Sequence, residues 1–133
     1  MTVRTFVLAV VGMSPLFLGA PPAPSAQEMT ERFIPVGQSP GLSGKATVIG
    51  KIQAINARDQ TVAIAGPAGT WSAKVTERTK IWLDRSMSRK TNLTGTFSDL
   101  RQGLTVEVKP DGSQRGAQSG PAEWIKVQIP PSP

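Results

Sequence analysis

From Thr47 onward the chain alternates. Val48, Gly50, Ile52 and Ala54 fall on one side of an extended segment and Lys51 and Gln53 on the other. This is the period of two expected of a strand with one buried face. Arg58-Asp59-Gln60 reads as a turn, and Thr61–Ala65 as a second strand with β-branched residues at alternate places. Gly66-Pro67-Ala68-Gly69 is a strong turn signal. Thr70–Val75 predicts a third strand that puts Trp71, Ala73 and Val75 together. Thr76-Glu77-Arg78 interrupts it, and Lys80–Leu83 resumes, with Ile81 and Leu83 on one face and Lys80, Trp82 and Asp84 on the other.

Ser98–Gly103 predicts one helical turn, with Ser98 as its N-cap and Gly103 as its terminator. Leu104, Val106 and Val108 then alternate against Thr105 and Glu107. Pro110-Asp111-Gly112 opens a glycine-rich hairpin loop. Ala122–Ile129 is the last strand, with Ile125, Val127 and Ile129 facing in and Trp124, Lys126 and Gln128 facing out. No helical period exceeds the one turn. Three strands, a short helical turn and two strands, with Lys80–Leu83 extending the third, is the order of an OB-type barrel. The expectation is an all-β, OB-like barrel of five to six antiparallel strands over residues 45–129.

The ends of the chain read differently. Met1–Thr5 carries one positive charge, Arg4, and Phe6–Leu18 is an apolar run broken by Gly12 and Pro15. A small, proline-rich stretch then runs to Ala26. These are the three parts of a secretory signal peptide, so residues 1–26 are expected to be removed on export. A bilayer span needs about 20 apolar residues, which this run does not supply. Residues 27–44 hold Pro35, Pro40 and three glycines without a sustained period, and predict a flexible leader. Phe33, Ile34 and Val36 are the side chains by which it could dock, on a partner or on the domain itself. Pro130–Pro133 is a proline-rich tail that ends the domain.

The pattern Val48-x-Gly50-x-Ile52-x-x-Ile55, Thr61-Val62-x-Ile64, Thr79-x-Ile81 and Asp99-Leu100-x-x-Gly103-x-x-Val106-x-Val108, with Ala122-x-x-Ile125 later, resembles the small exported bacterial β-barrel domains grouped as DUF5666. The resemblance spans residues 46–129. It rests on turn glycines and core strands and therefore implies a fold. It implies no activity and no functional residue. The Trp82–Ser86 continuation and the basic segment after it are more elaborate than that pattern.

Composition narrows the chemistry. Fifteen basic residues against nine acidic ones give a net charge of +6, which favours anionic partners, although acids and bases are interspersed. The chain contains no cysteine, so packing alone must hold an exported fold together. Histidine and tyrosine are absent too. That removes the commonest general base, the thiolate nucleophile and the preferred zinc and copper ligands. Ser86 or Ser88 would need a desolvated lysine to act as a nucleophile, which an exposed cationic loop does not offer. Asp84 and Asp99 could pair across their connection as a carboxylate or calcium site. The simpler expectation is that Asp84 pairs with a nearby Arg or Lys and that Asp99 supports the helical turn. Glycines 112, 116 and 120 lack the spacing of a phosphate-binding loop. Asn92-Leu93-Thr94 fits a glycosylation sequon, a short pattern common by chance. The inventory argues against an enzyme, a metal site or a cofactor.

Binding is the remaining class. Trp82, Trp124 and Lys126 occupy outward positions, and Arg85, Arg89 and Lys90 lie just beyond one of them. OB barrels hold ligands on a sheet face through aromatic stacking and backbone-tracking cations. Trp82, Arg85, Arg89, Lys90 and Lys126 are therefore the candidate ligand-binding residues, for an anionic polymer. The plainer alternative is that Trp82 and Trp124 cover one end of the barrel while the cations solvate a loop. Export argues against nucleic acid as the natural ligand and places the chain in the bacterial periplasm or outside the cell, with no membrane span once processed. A structural or scaffolding protein docking another envelope protein is the competing class.

Overall fold

The computed structural model describes residues 30–112 and 118–131. The proposed signal peptide, residues 27–29 of the leader and the last two residues of the tail lie outside them. Seven strands form in order: β1 (Val48–Asn56), β2 (Thr61–Gly66), β3 (Gly69–Lys74), β4 (Lys80–Asp84), β5 (Leu93–Thr94), β6 (Thr105–Pro110) and β7 (Ser119–Gln128). They lie side by side as β3-β2-β1-β6-β7-β4-β5, and a further pairing of β3 with β7 closes five of them into a barrel.

Closure depends on the length of β7. Its first residues run parallel to β3, where Ser72 meets Ser119, and its later residues run parallel to β4, from Lys80 against Trp124 to Asp84 against Gln128. β3 and β4 are thus two pieces of one broken strand laid along the same edge, as Thr76-Glu77-Arg78 foretells. These two parallel pairings modify the all-antiparallel expectation. Across the break the Thr79 hydroxyl donates to the Ala122 carbonyl at 2.7 Å, satisfying an acceptor that the interrupted ladder leaves open.

The core follows the alternation with one correction. Ile52, Ile64, Ala73, Val106, Ile125 and Val127 pack together inside the barrel. In β1 the register slips between Ile52 and Ala54. The extra residue of this bulge turns Ala54 out to solvent and brings Ile55 against the core, the reverse of a strict period of two. Gly50 is required by a close approach: a Cβ there would lie 2.0 Å from the Ala65 carbonyl oxygen.

The helical segment is two short 3-10 turns, Ser86–Ser88 and Phe97–Asp99. The second is capped by Thr96 rather than Ser98. Thr96 and Asp99 form a reciprocal capping box, and the Thr96 N–H donates to the Asp99 carboxylate at 2.8 Å. Leu100, just beyond it, is buried in the core cluster, and Gly103 follows with a positive φ of 91°. Among the described residues no helix is long and apolar enough to cross a membrane.

Candidate functional site

The outward face of β6, β7 and β4 carries the polar residues that the alternation assigns to it. One row runs from Glu107 on β6 through Lys126 on β7 to Trp82 on β4. None of the three meets solvent. Trp82 is 5 % exposed, and Lys126 and Glu107 are 0 % exposed. Trp124 is buried beside them, its ring 5.5 Å from that of Trp82.

What covers this face is the chain before β1. In place of a tether, residues 30–47 fold through a series of turns against the barrel, and Glu31, Val36, Ser39 and Thr47 are buried. The Lys126 ammonium donates to Glu31 at 2.6 Å and to the Ser39 hydroxyl at 3.0 Å, and lies 4.8 Å from the centre of the Trp124 ring. Ser39 also hydrogen-bonds Glu31. Glu107 accepts from the Gly37 N–H at 2.9 Å, the Ser43 hydroxyl at 2.7 Å and the Thr47 hydroxyl at 2.8 Å. Among the described residues Asp84 forms no ion pair with Arg or Lys. It accepts from the backbone N–H groups of Val36 at 2.8 Å and Ser86 at 2.9 Å.

The physical reason is a trade of donors. A segment rich in turns has backbone N–H groups that no ladder satisfies, and buried carboxylates need donors. Each supplies what the other lacks. Of the leader's apolar side chains Val36 is the one that buries, Ile34 is partly covered, and Phe33 stays in solvent.

The basic loop is the other part of the site. Arg85–Leu93 carries Arg85, Arg89 and Lys90 and no acidic residue. Arg89 and Lys90 are exposed and Arg85 is partly so, its Nε donating to the Thr91 carbonyl at 2.7 Å. Among the described residues there are two ion pairs, Lys109–Glu123 and Lys126–Glu31, so these three cations have no carboxylate partner. Arg89 adopts the left-handed region, with φ of 57°, to end the first 3-10 turn.

Asn92 joins loop and leader. Its side-chain oxygen accepts from the Arg85 N–H and its amide donates to the Arg32 carbonyl, each at 2.9 Å. Arg32 in turn places its guanidinium 4.7 Å from the centre of the Phe33 ring, while its buried Nε has no hydrogen-bond partner.

The five candidate residues therefore divide. Arg85, Arg89 and Lys90 share one surface loop. Lys126 lies beneath residues 30–47, and Trp82 is buried on the same face beside Trp124, so neither is open to a ligand in solution. Glu31, Glu107 and Asn92, which organise this region, were not singled out from the sequence as binding residues. A charge at an outward strand position and an asparagine in a loop carry no local sign of burial.

Elsewhere, a shallow, open depression of about 750 Å³ lies at the break between β3 and β4, lined among others by Lys74, Glu77, Arg78 and Asp111. Among the described residues no three His, Cys, Asp or Glu side chains gather as they would around a metal ion. Asp84 and Asp99 do not pair with each other: Asp84 accepts from the Val36 and Ser86 N–H groups, and Asp99 from that of Thr96. Compared with known proteins, the chain matches no family model, no curated protein and no solved structure.

Proposed function

We propose that this chain is an exported, non-catalytic β-barrel module that binds an anionic ligand through the loop Arg85–Leu93. The observation that carries this reading is the state of Arg85, Arg89 and Lys90: three cations in one loop, none of them ion-paired among the described residues. Unpaired cations at a surface attract anions over a Debye length, about 8 Å at physiological salt. The ligand set is narrower than the alternation suggests, because Trp82 is buried beside Trp124 and Lys126 is bound to Glu31 and Ser39. Export to the periplasm or beyond is supported by the basic start, the apolar run Phe6–Leu18 and the small-residue stretch to Ala26. The resemblance to DUF5666 rests on the residue pattern alone; it implies a small exported β-barrel domain and no activity.

The test is calorimetric titration with a heparin-like polysaccharide at two salt concentrations. Binding is expected to weaken as salt rises, since it releases counterions. It is expected to be lost in an Arg85→Ala, Arg89→Ala, Lys90→Ala variant whose thermal unfolding is unchanged. Affinity that survives the triple substitution would sink the proposal. Hydrolysis of the polymer would overturn the non-catalytic part.

A structural role, holding another envelope protein, is the second reading. It is favoured by the two-residue strand β5 at the open edge of the sheet, with Leu93 exposed upon it. Capture of one envelope protein that is lost on Leu93→Ser, with no polysaccharide binding, would favour it.

A further inference from the structure

Three large hydrophobic side chains stand out into solvent among the described residues: Phe33, 52 % exposed, Met87, 51 %, and Leu93, 43 %. They come from three separate elements, whose backbones one residue ties together. Asn92 precedes Leu93, holds the carbonyl of Arg32 next to Phe33, and accepts from the N–H of Arg85, two residues before Met87. The same neighbourhood holds Arg32, Arg85, Arg89 and Lys90. Among the described residues its acids are out of reach: Asp84 is buried on backbone donors and Glu31 is paired with Lys126.

We infer that this surface docks on an anionic phospholipid bilayer, with Phe33, Met87 and Leu93 entering the interface and the four cations meeting headgroup phosphates. The inference rests on the anion-binding reading of the loop and names its ligand. A hydrophilic polyanion such as a polysaccharide accounts for the cations but gives exposed Met and Leu nothing to enter. A bilayer interface accounts for both, because association there scales with apolar area buried and with attraction to anionic lipid. Arg32 suits that boundary. Its guanidinium caps the Phe33 ring, so an apolar body and a charged head lie side by side.

The experiment uses the full chain with vesicles of phosphatidylglycerol and phosphatidylcholine, vesicles of phosphatidylcholine alone, and a heparin-like polysaccharide. Co-sedimentation measures binding, and amide exchange locates it. Comparing variants of one chain cancels whatever Phe6–Leu18 contributes to vesicle binding. Binding is expected for anionic vesicles over neutral ones, with exchange slowed at residues 33 and 87–93. Arg89→Gln/Lys90→Gln should lower the partition coefficient about fivefold per charge removed. Met87→Ser/Leu93→Ser should lower it on the order of tenfold per side chain while leaving polysaccharide binding unchanged. Thermal unfolding of both variants should match the parent, since the altered side chains are exposed.

Polysaccharide binding without anionic-vesicle binding overturns the inference and leaves the anion-binding reading standing. Binding to neither polyanion overturns both. Vesicle binding that is indifferent to Met87→Ser/Leu93→Ser, or that leaves exchange at residues 87–93 unchanged, also overturns the inference.

Discussion

Glu107 and Lys126 face each other across the β6–β7 ladder and form no ion pair. Opposite charges directly across two antiparallel strands ordinarily take each other as partners. Here each turns to residues 31–47 instead: Lys126 to Glu31 and Ser39, Glu107 to Gly37, Ser43 and Thr47. The barrel's outer charges act as an attachment site for its own N-terminal segment.

That arrangement makes the ion pair costly to break and cheap to replace. Glu31→Ala or Lys126→Ala alone should destabilise the fold by about 3–5 kcal/mol, because each leaves the other charge buried without a partner. A Glu31→Leu/Lys126→Met pair should recover most of that loss. Urea denaturation of the three variants measures it. Singles with the parent's midpoint would show that the pair is solvated.

The attachment should be visible in solution. The Val36 and Gly37 amides donate to carboxylates rather than water and should exchange slowly, although they lie in a segment without strands. A chain beginning at residue 45 should show red-shifted tryptophan emission as Trp82 and Trp124 become wet. Exchange at unprotected rates across residues 36–43 would refute the docking.

Gly50 should tolerate no side chain. Gly50→Ala sets its Cβ 2.0 Å from the Ala65 carbonyl oxygen, a backbone atom that can move only if β1 and β2 separate. A loss of about 1–3 kcal/mol or more is expected by thermal denaturation, the range of overpacked cores. An unchanged melting temperature would mean that the two strands lie further apart.

Arg89 should separate stability from binding. A left-handed non-glycine residue costs roughly 1–2 kcal/mol, and the extra unfolded freedom of glycine offsets about 0.4–1 kcal/mol of the relief. Arg89→Gly should therefore raise stability by about 0.5–1 kcal/mol while weakening anion binding. A variant that is more stable and binds equally well would remove Arg89 from the binding surface.

Much of the barrel was legible in the residue pattern. Alternation put Ile81, Val106, Val108, Ile125 and Val127 inside and Trp82, Glu107, Trp124 and Lys126 outside, and the structure keeps every one of those sides. The turn at Gly66–Gly69 and the break at Thr76–Arg78 were equally plain, since glycine, proline and lost alternation act locally. A bulge was harder to see: one extra residue at Gln53 reverses Ala54 and Ile55 without changing composition. The Thr96–Asp99 capping pattern was present in the letters, but Ser98 offered a competing cap two residues on. The candidate site divided along the same line. A period of two tells which side of a sheet a residue occupies and nothing about what lies across from it. The partners of Asp84, Glu107 and Lys126 come from 48, 70 and 95 positions away, out of a segment with no period of its own. Only the tertiary fold could decide that Trp82 and Lys126 are covered, because burial there depends on donors and acceptors matched between segments, and no local pattern records that match.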